Sequence, residues 1–86
     1  MAYSYEICLE QEILNEFLAE VKGFIFRNEH YGNLVMTKEL EELRYELADL
    51  KNSVFPNDSL EPLREIRKRG REIYEIFKKA TPLPHV

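Results

Sequence analysis

Met36, Leu40, Leu43, Leu47, Leu50 and Val54 recur at alternating spacings of four and three. That rhythm sets every large apolar group on one narrow stripe of a helix, and the stripe must pack against other helices. The spacing predicts a helix over residues 37–54, with Thr37 as its N-cap and Glu39 in its first turn. Ahead of it, Ile13, Leu14, Phe17, Leu18, Val21, Phe24 and Ile25 form a wider face that predicts a helix over 10–27. Glu12, Glu16, Glu20 and Lys22 fall outside that face, and Phe26 points nearly opposite it. Leu63, Ile66, Ile73, Tyr74 and Phe77, with Gly70 among them, predict a third helix over 59–80.

Residues 3–9 follow another rhythm. Tyr3, Tyr5, Ile7 and Leu9 alternate with Ser4, Glu6 and Cys8, a period of two rich in strand-forming residues. Continuing the first helix backwards would put Glu6 and Glu10 inside its apolar stripe. Residues 3–9 are therefore expected to be extended, paired with Asn33-Leu34-Val35-Met36 or with a second copy of the chain.

Breaks fall where the pattern lapses. Residues 28–33 read as a turn, since Gly32 and Asn33 accept positive φ. Pro56 biases Phe55 away from helical geometry, so residues 55–58 read as a loop. Ser59 is placed as the N-cap of the third helix, which puts Pro62 at a position where its missing N–H costs no bond. Gly70 weakens that helix by about 1 kcal/mol relative to alanine and leaves room for a neighbour to come close. Residues 81–86, with Pro82 and Pro84, read as a non-helical tail. The expected fold is mainly α: one small three-helix domain over 1–86, an antiparallel helical hairpin plus a third helix, with a short N-terminal extended segment.

Eighty-six residues with 44% hydrophobic and 33% charged side chains fit a small globular domain rather than a disordered chain. Residues 1–12 contain no basic region and no long apolar run, so the expected location is the cytoplasm. Asn57-Asp58-Ser59 matches a glycosylation acceptor, which carries no weight without a secretory signal. The net charge of −4 conceals an asymmetry: residues 1–58 carry −7 and residues 59–86 carry +3. Such halves attract each other within a fold or in a pair, or the basic half meets an anionic partner.

Little of this is catalytic chemistry. His30 and His85 are the only histidines and Cys8 the only cysteine, so a Cys–His nucleophile would require Cys8 and His30 to meet. The carboxylates one turn apart, Glu16 with Glu20 and Glu42 with Glu46, lack the histidine of a metal motif and read as solvated faces. Three scattered glycines make no phosphate loop. Neither a catalytic residue, a cofactor nor a metal site is expected.

The extended N-terminus, the helical hairpin and the ending Phe77-Lys78-Lys79-Ala80-Thr81-Pro82 resemble pieces of the RelE/HigB-type toxin ribonucleases. Those proteins are typically strongly basic and place several strands after the hairpin. Here that region reads as helix and the isoelectric point is near 5.2. No catalytic residue is carried over from the resemblance.

Two features point to partners. Phe26 and Tyr45 lie off the core faces, and Tyr31 and Phe55 lie in loops; aromatic side chains anchor interfaces. Arg64, Arg67, Arg71 and Lys78 fall on one flank of the third helix, with Lys68 nearby. The expected function is a non-enzymatic protein–protein interaction module, a small regulator, inhibitor or adaptor. It would dock through Phe26, Tyr31, Tyr45, Arg64, Arg67 and Arg71. A homodimer is the second expectation. The alternative is a nucleic-acid-binding module that sets the arginine row against successive phosphates. Acidic side chains of the first helix, Glu16 and Glu20, are the expected internal match for that row. Neither a membrane nor a small-molecule substrate is expected.

Overall fold

The computed structural model describes residues 4–81. Three helices follow in order: α1 (Tyr5–His30), α2 (Lys38–Asn52) and α3 (Leu60–Ala80). Among the described residues there is no strand, and no helix is long and apolar enough to cross a membrane.

The expectation of an extended 3–9 is wrong for residues 5–9, which are the first turns of α1; Tyr3 lies outside the described residues, as do 82–86 of the expected tail. Ser4 is the N-cap, and its Oγ accepts the Ile7 N–H at 3.1 Å. Glu6, in the first turn, complements the helix dipole. Of the two carboxylates expected on the apolar stripe, Glu6 is exposed and α3 accommodates Glu10. Glu10 does lie on the inner face, only 8% exposed, and Arg67 Nη1 donates to both of its oxygens at 3.3 Å. A buried carboxylate is tolerable when it is paired and hydrogen-bonded. Residues 33–36 form no strand either. The one structured piece that resembled the toxin ribonucleases beyond helices is therefore absent from residues 4–81.

At its other end α1 runs one turn past the expected 27. Tyr31 is the C-cap and Gly32 follows at φ +73°, the left-handed geometry that glycine adopts without strain. The Asn33 N–H reaches back to the Asn28 carbonyl at 2.7 Å and the Gly32 N–H to Glu29 at 3.1 Å, which satisfies the final carbonyls in a Schellman motif. Thr37 caps α2 as expected, its Oγ1 accepting the Leu40 N–H at 3.3 Å. α2 stops at Asn52, short of the expected 54, because a helix continued to Pro56 would drive its ring into the Asn52 carbonyl. Ser59 occupies the N-cap of α3 in extended geometry, but its side chain makes no capping bond.

The seam residues Leu40, Leu43 and Leu47 are buried, as is Val54 beyond the end of α2, and Leu50 and Met36 are half-buried. They meet Leu14, Leu18, Val21 and Ile25 of α1 and Leu63, Ile66, Ile73 and Phe77 of α3 in one core. Ile13 departs from the expected face and is 41% exposed. Phe17 and Phe24 sit at the core's edge, where both meet the Tyr74 ring edge-on at 6.0 and 5.4 Å. Gly70 allows α3 to approach α1: a Cβ there would stand 3.0 Å from Leu18 Cδ2 and 3.3 Å from Phe17 Cε2.

α1 packs most extensively on α3 and least on α2. Gln11 fastens the α2–α3 loop to α1, its Nε2 donating to the Asn57 carbonyl at 2.7 Å, with the Val54 carbonyl at 3.4 Å. Arg44 of α2 meets Glu29 near the far end of α1, Nη1 to Oε1 at 3.2 Å. Those two contacts, at opposite ends, set α1 and α2 antiparallel.

Candidate functional site

The loose α1–α2 pairing leaves a groove of about 550 Å³. Its floor is the outer edge of the core, namely Leu18, Ile25 and Leu47, all nearly or fully buried. Phe26 projects from α1 and Tyr45 from α2 into the same groove, 68% and 71% exposed. Exposed Ala48 also lines it, a side chain too short to fill the space.

The backbone periodicity explains this lining. On α2, Glu41, Tyr45, Ala48 and Asn52 repeat the four–three–four rhythm one or two residues behind the leucine seam, as a second stripe on its flank. On α1, Lys22 and Phe26 lie one turn apart beside Leu18 and Ile25. Lys22, Arg44 and Lys51 supply cations along the groove, and Glu41 one carboxylate. The Glu29 carboxylate engages Arg44, Nη1 to Oε2 at 3.0 Å. Sequence reasoning found Phe26 and Tyr45 but missed Lys22, Lys51 and Ala48. The flanking stripe 41–45–48–52 was the signal for the α2 side.

Tyr31 extends the aromatic file. The Phe26 ring stacks on His30 at 5.9 Å with planes 7° apart, and His30 meets Tyr31 edge-on at 5.2 Å. Of the six expected docking residues, Phe26 and Tyr45 share the groove, and Tyr31 joins Phe26 through His30 at the C-terminal end of α1. Phe55 is exposed in its loop and does not line the groove.

The arginines lie elsewhere. Arg67 is committed to Glu10. Arg64 borders a shallow recess with Glu6, Leu9, Glu10, Ile13 and Leu60, and Arg71 is exposed on α3. None of the three lines the α1–α2 groove. The internal acids that meet the basic helix are Glu10 and Glu46, not the expected Glu16 and Glu20. Arg69 chelates Glu46, with Nη2 at 2.8 Å from Oε2 and Nε on Oε1, and also reaches Glu72. Hydrogen bonds from Arg69 hold the Glu46 carboxyl below its ordinary pKa, and the same bonds raise that of Arg69. Lys78 lies 4.0 Å from Glu75 and 5.2 Å from the Tyr74 ring centroid.

Cys8 and His30 are not brought together. They sit near opposite ends of α1, twenty-two residues apart, which is about 33 Å of helix rise.

No family model, curated protein or solved structure matches this chain.

Proposed function

We propose that the protein is a non-enzymatic interaction module, a small regulator, inhibitor or adaptor, whose α1–α2 groove receives a segment of a partner protein. The observation that carries this reading is the pair Phe26 and Tyr45. Each is more than two-thirds exposed, each comes from a different helix, and both border one groove over an apolar floor. Large aromatic side chains left in water at the walls of an apolar cleft are the usual anchors of a protein interface. A groove between two helices suits the apolar face of a third, in the helix-in-groove mode. The exposed free thiol of Cys8 accords with action in the cytoplasm, where thiols stay reduced.

The test compares the wild-type chain with Phe26→Ala plus Tyr45→Ala as bait in the native host, followed by reconstitution of the captured pair from purified proteins. Loss of about thirtyfold or more in affinity is expected, the scale of two interface anchors. Full affinity in the double variant overturns the assignment. Arg64→Ala plus Arg71→Ala, which alters a different surface, leaves the complex intact.

Nucleic-acid binding by α3 is the weaker reading. Arg67, the middle of the row, is occupied by Glu10, and Glu61, Glu65, Glu72 and Glu75 share the helix. Binding through phosphates falls steeply with salt, by a slope of about −0.9 per phosphate neutralised on duplex DNA.

A further inference from the structure

On the side of α1 away from the groove, an apolar seam runs where α1 meets α3. Leu9, Ile13, Phe17 and Phe24 supply it from α1, and Leu60 and Tyr74 from α3; none of the six is buried. Each edge of the seam carries one sign of charge. Glu16 and Glu20 lie seven residues beyond Leu9 and Ile13, on the α1 edge. Arg64 and Arg71, themselves seven apart, lie on the α3 edge beside Leu60 and Tyr74. All four are exposed, and none takes an ion pair among the described residues. Only Arg67 crosses the seam within one copy, to Glu10.

The two edges are also level with each other. α1 and α3 run parallel, since Glu10 meets Arg67, Phe17 lies against Gly70 and Phe24 against Tyr74. That sets Arg71 beside the stretch from Glu16 to Glu20. We propose that a second copy of this chain covers the seam, related by a two-fold axis parallel to the helices. Such an axis lays the seam on itself and α1 of each copy over α3 of the other. Glu16 and Glu20 of one copy then face Arg71 of the other at the same height, twice over, around an apolar centre. The exceptions obey the same exchange: Arg27 continues the α1 edge and Glu75 the α3 edge, opposite in sign and both toward the C-terminal end. A two-fold axis across the helices would instead set α1 on α1 and α3 on α3, acid against acid and base against base. From Leu9 to Phe24 the seam rises about 22 Å, short for an obligate interface, so the dimer is reversible. Lys22 and Phe26 project from the opposite side of α1, which leaves both grooves open in the pair.

The experiment is sedimentation equilibrium of the full chain with two charge-reversed variants, Arg64→Glu plus Arg71→Glu and Glu16→Lys plus Glu20→Lys. Wild type is expected to dimerise with a Kd on the order of micromolar, more weakly as salt is added. Each variant alone sets like charges face to face and raises Kd about tenfold or more. An equimolar mixture of the two restores every opposite-sign contact and forms a heterodimer within about threefold of the wild-type Kd. The four side chains are exposed and unpaired, so both variants keep the wild-type circular dichroism, and recovery in the mixture shows directly that they are folded. Phe26→Ala plus Tyr45→Ala leaves the dimer unchanged, which separates this interface from the docking groove. A wild type that stays monomeric to about millimolar concentration overturns the inference. So does a dimer indifferent to both reversals, a mixture that stays monomeric, or a dimer that Phe26→Ala plus Tyr45→Ala dissolves. A monomeric wild type leaves the docking reading standing.

Discussion

Removing the Arg67 guanidinium strands the Glu10 carboxylate on the inner face of α1. Arg67→Ala is expected to cost about 1–3 kcal/mol in urea unfolding, the penalty for a buried polar group without its partner. Replacing both groups with apolar ones, Glu10→Leu plus Arg67→Met, returns stability to near the wild-type value, since no charge is then left buried. Equal losses in the single and double variants would contradict the pairing. Gly70 is a matter of space. A Cβ at 3.0 Å from fully buried Leu18 needs that side chain to shift, so Gly70→Ala does not deliver the helix-propensity gain of about 1 kcal/mol. Gly70→Val, with two further methyl groups, destabilises by about 1–3 kcal/mol. A Gly70→Val variant as stable as wild type would show that α3 and α1 do not touch there.

Each helix begins and ends for a local reason, and those reasons were unequally legible. Thr37, Gly32 and Pro62 state their roles in the residue type itself, and the leucine seam of α2 and the apolar face of α3 follow from spacing alone. The start of α1 does not. Its first turns look like alternating strand, and of the two carboxylates expected on the apolar stripe Glu6 stays exposed while Glu10 is buried against a partner 57 residues away. Local patterning is blind to such a contact, as it is to Gln11, an ordinary polar residue until the α2–α3 loop closes over it. The groove had the same character. Phe26 and Tyr45 stand out singly in the sequence, but only the antiparallel packing of α1 and α2 makes them two walls of one cleft. Ser4→Ala should cost about 1 kcal/mol and speed amide exchange over residues 5–9, whereas an extended 5–9 predicts no change. Between α2 and α3, the Arg69 bonds keep the Glu46 carboxyl more acidic in the folded state than in the unfolded one. Their stabilisation is therefore present above the ordinary glutamate value, about 4.3, and is lost as pH falls through the lower folded value. Wild type should exceed Glu46→Gln in stability at neutral pH and converge with it in acid. The gap stays within about 1 kcal/mol, because both side chains are more than a third exposed.

At the scale of the molecule, the core and the proposed docking groove draw on different side chains. The core is closed by residues that face inward from all three helices, and Phe26 and Tyr45 are not among them. Phe26→Ala plus Tyr45→Ala should therefore leave unfolding free energy within about 0.5 kcal/mol per site of wild type, while removing partner affinity. That separation is unusual in so small a domain, where most large apolar groups must serve the core. The most direct measurement is site-specific photocrosslinking in the native host, with a photoreactive side chain at Ala48 on the groove and, as a control, at Lys68 on α3. A discrete adduct of a partner protein at Ala48, absent at Lys68 and lost when Phe26→Ala plus Tyr45→Ala is combined with the Ala48 probe, is the predicted result. The same adduct at both positions, or at Lys68 alone, would contradict the groove as the docking site.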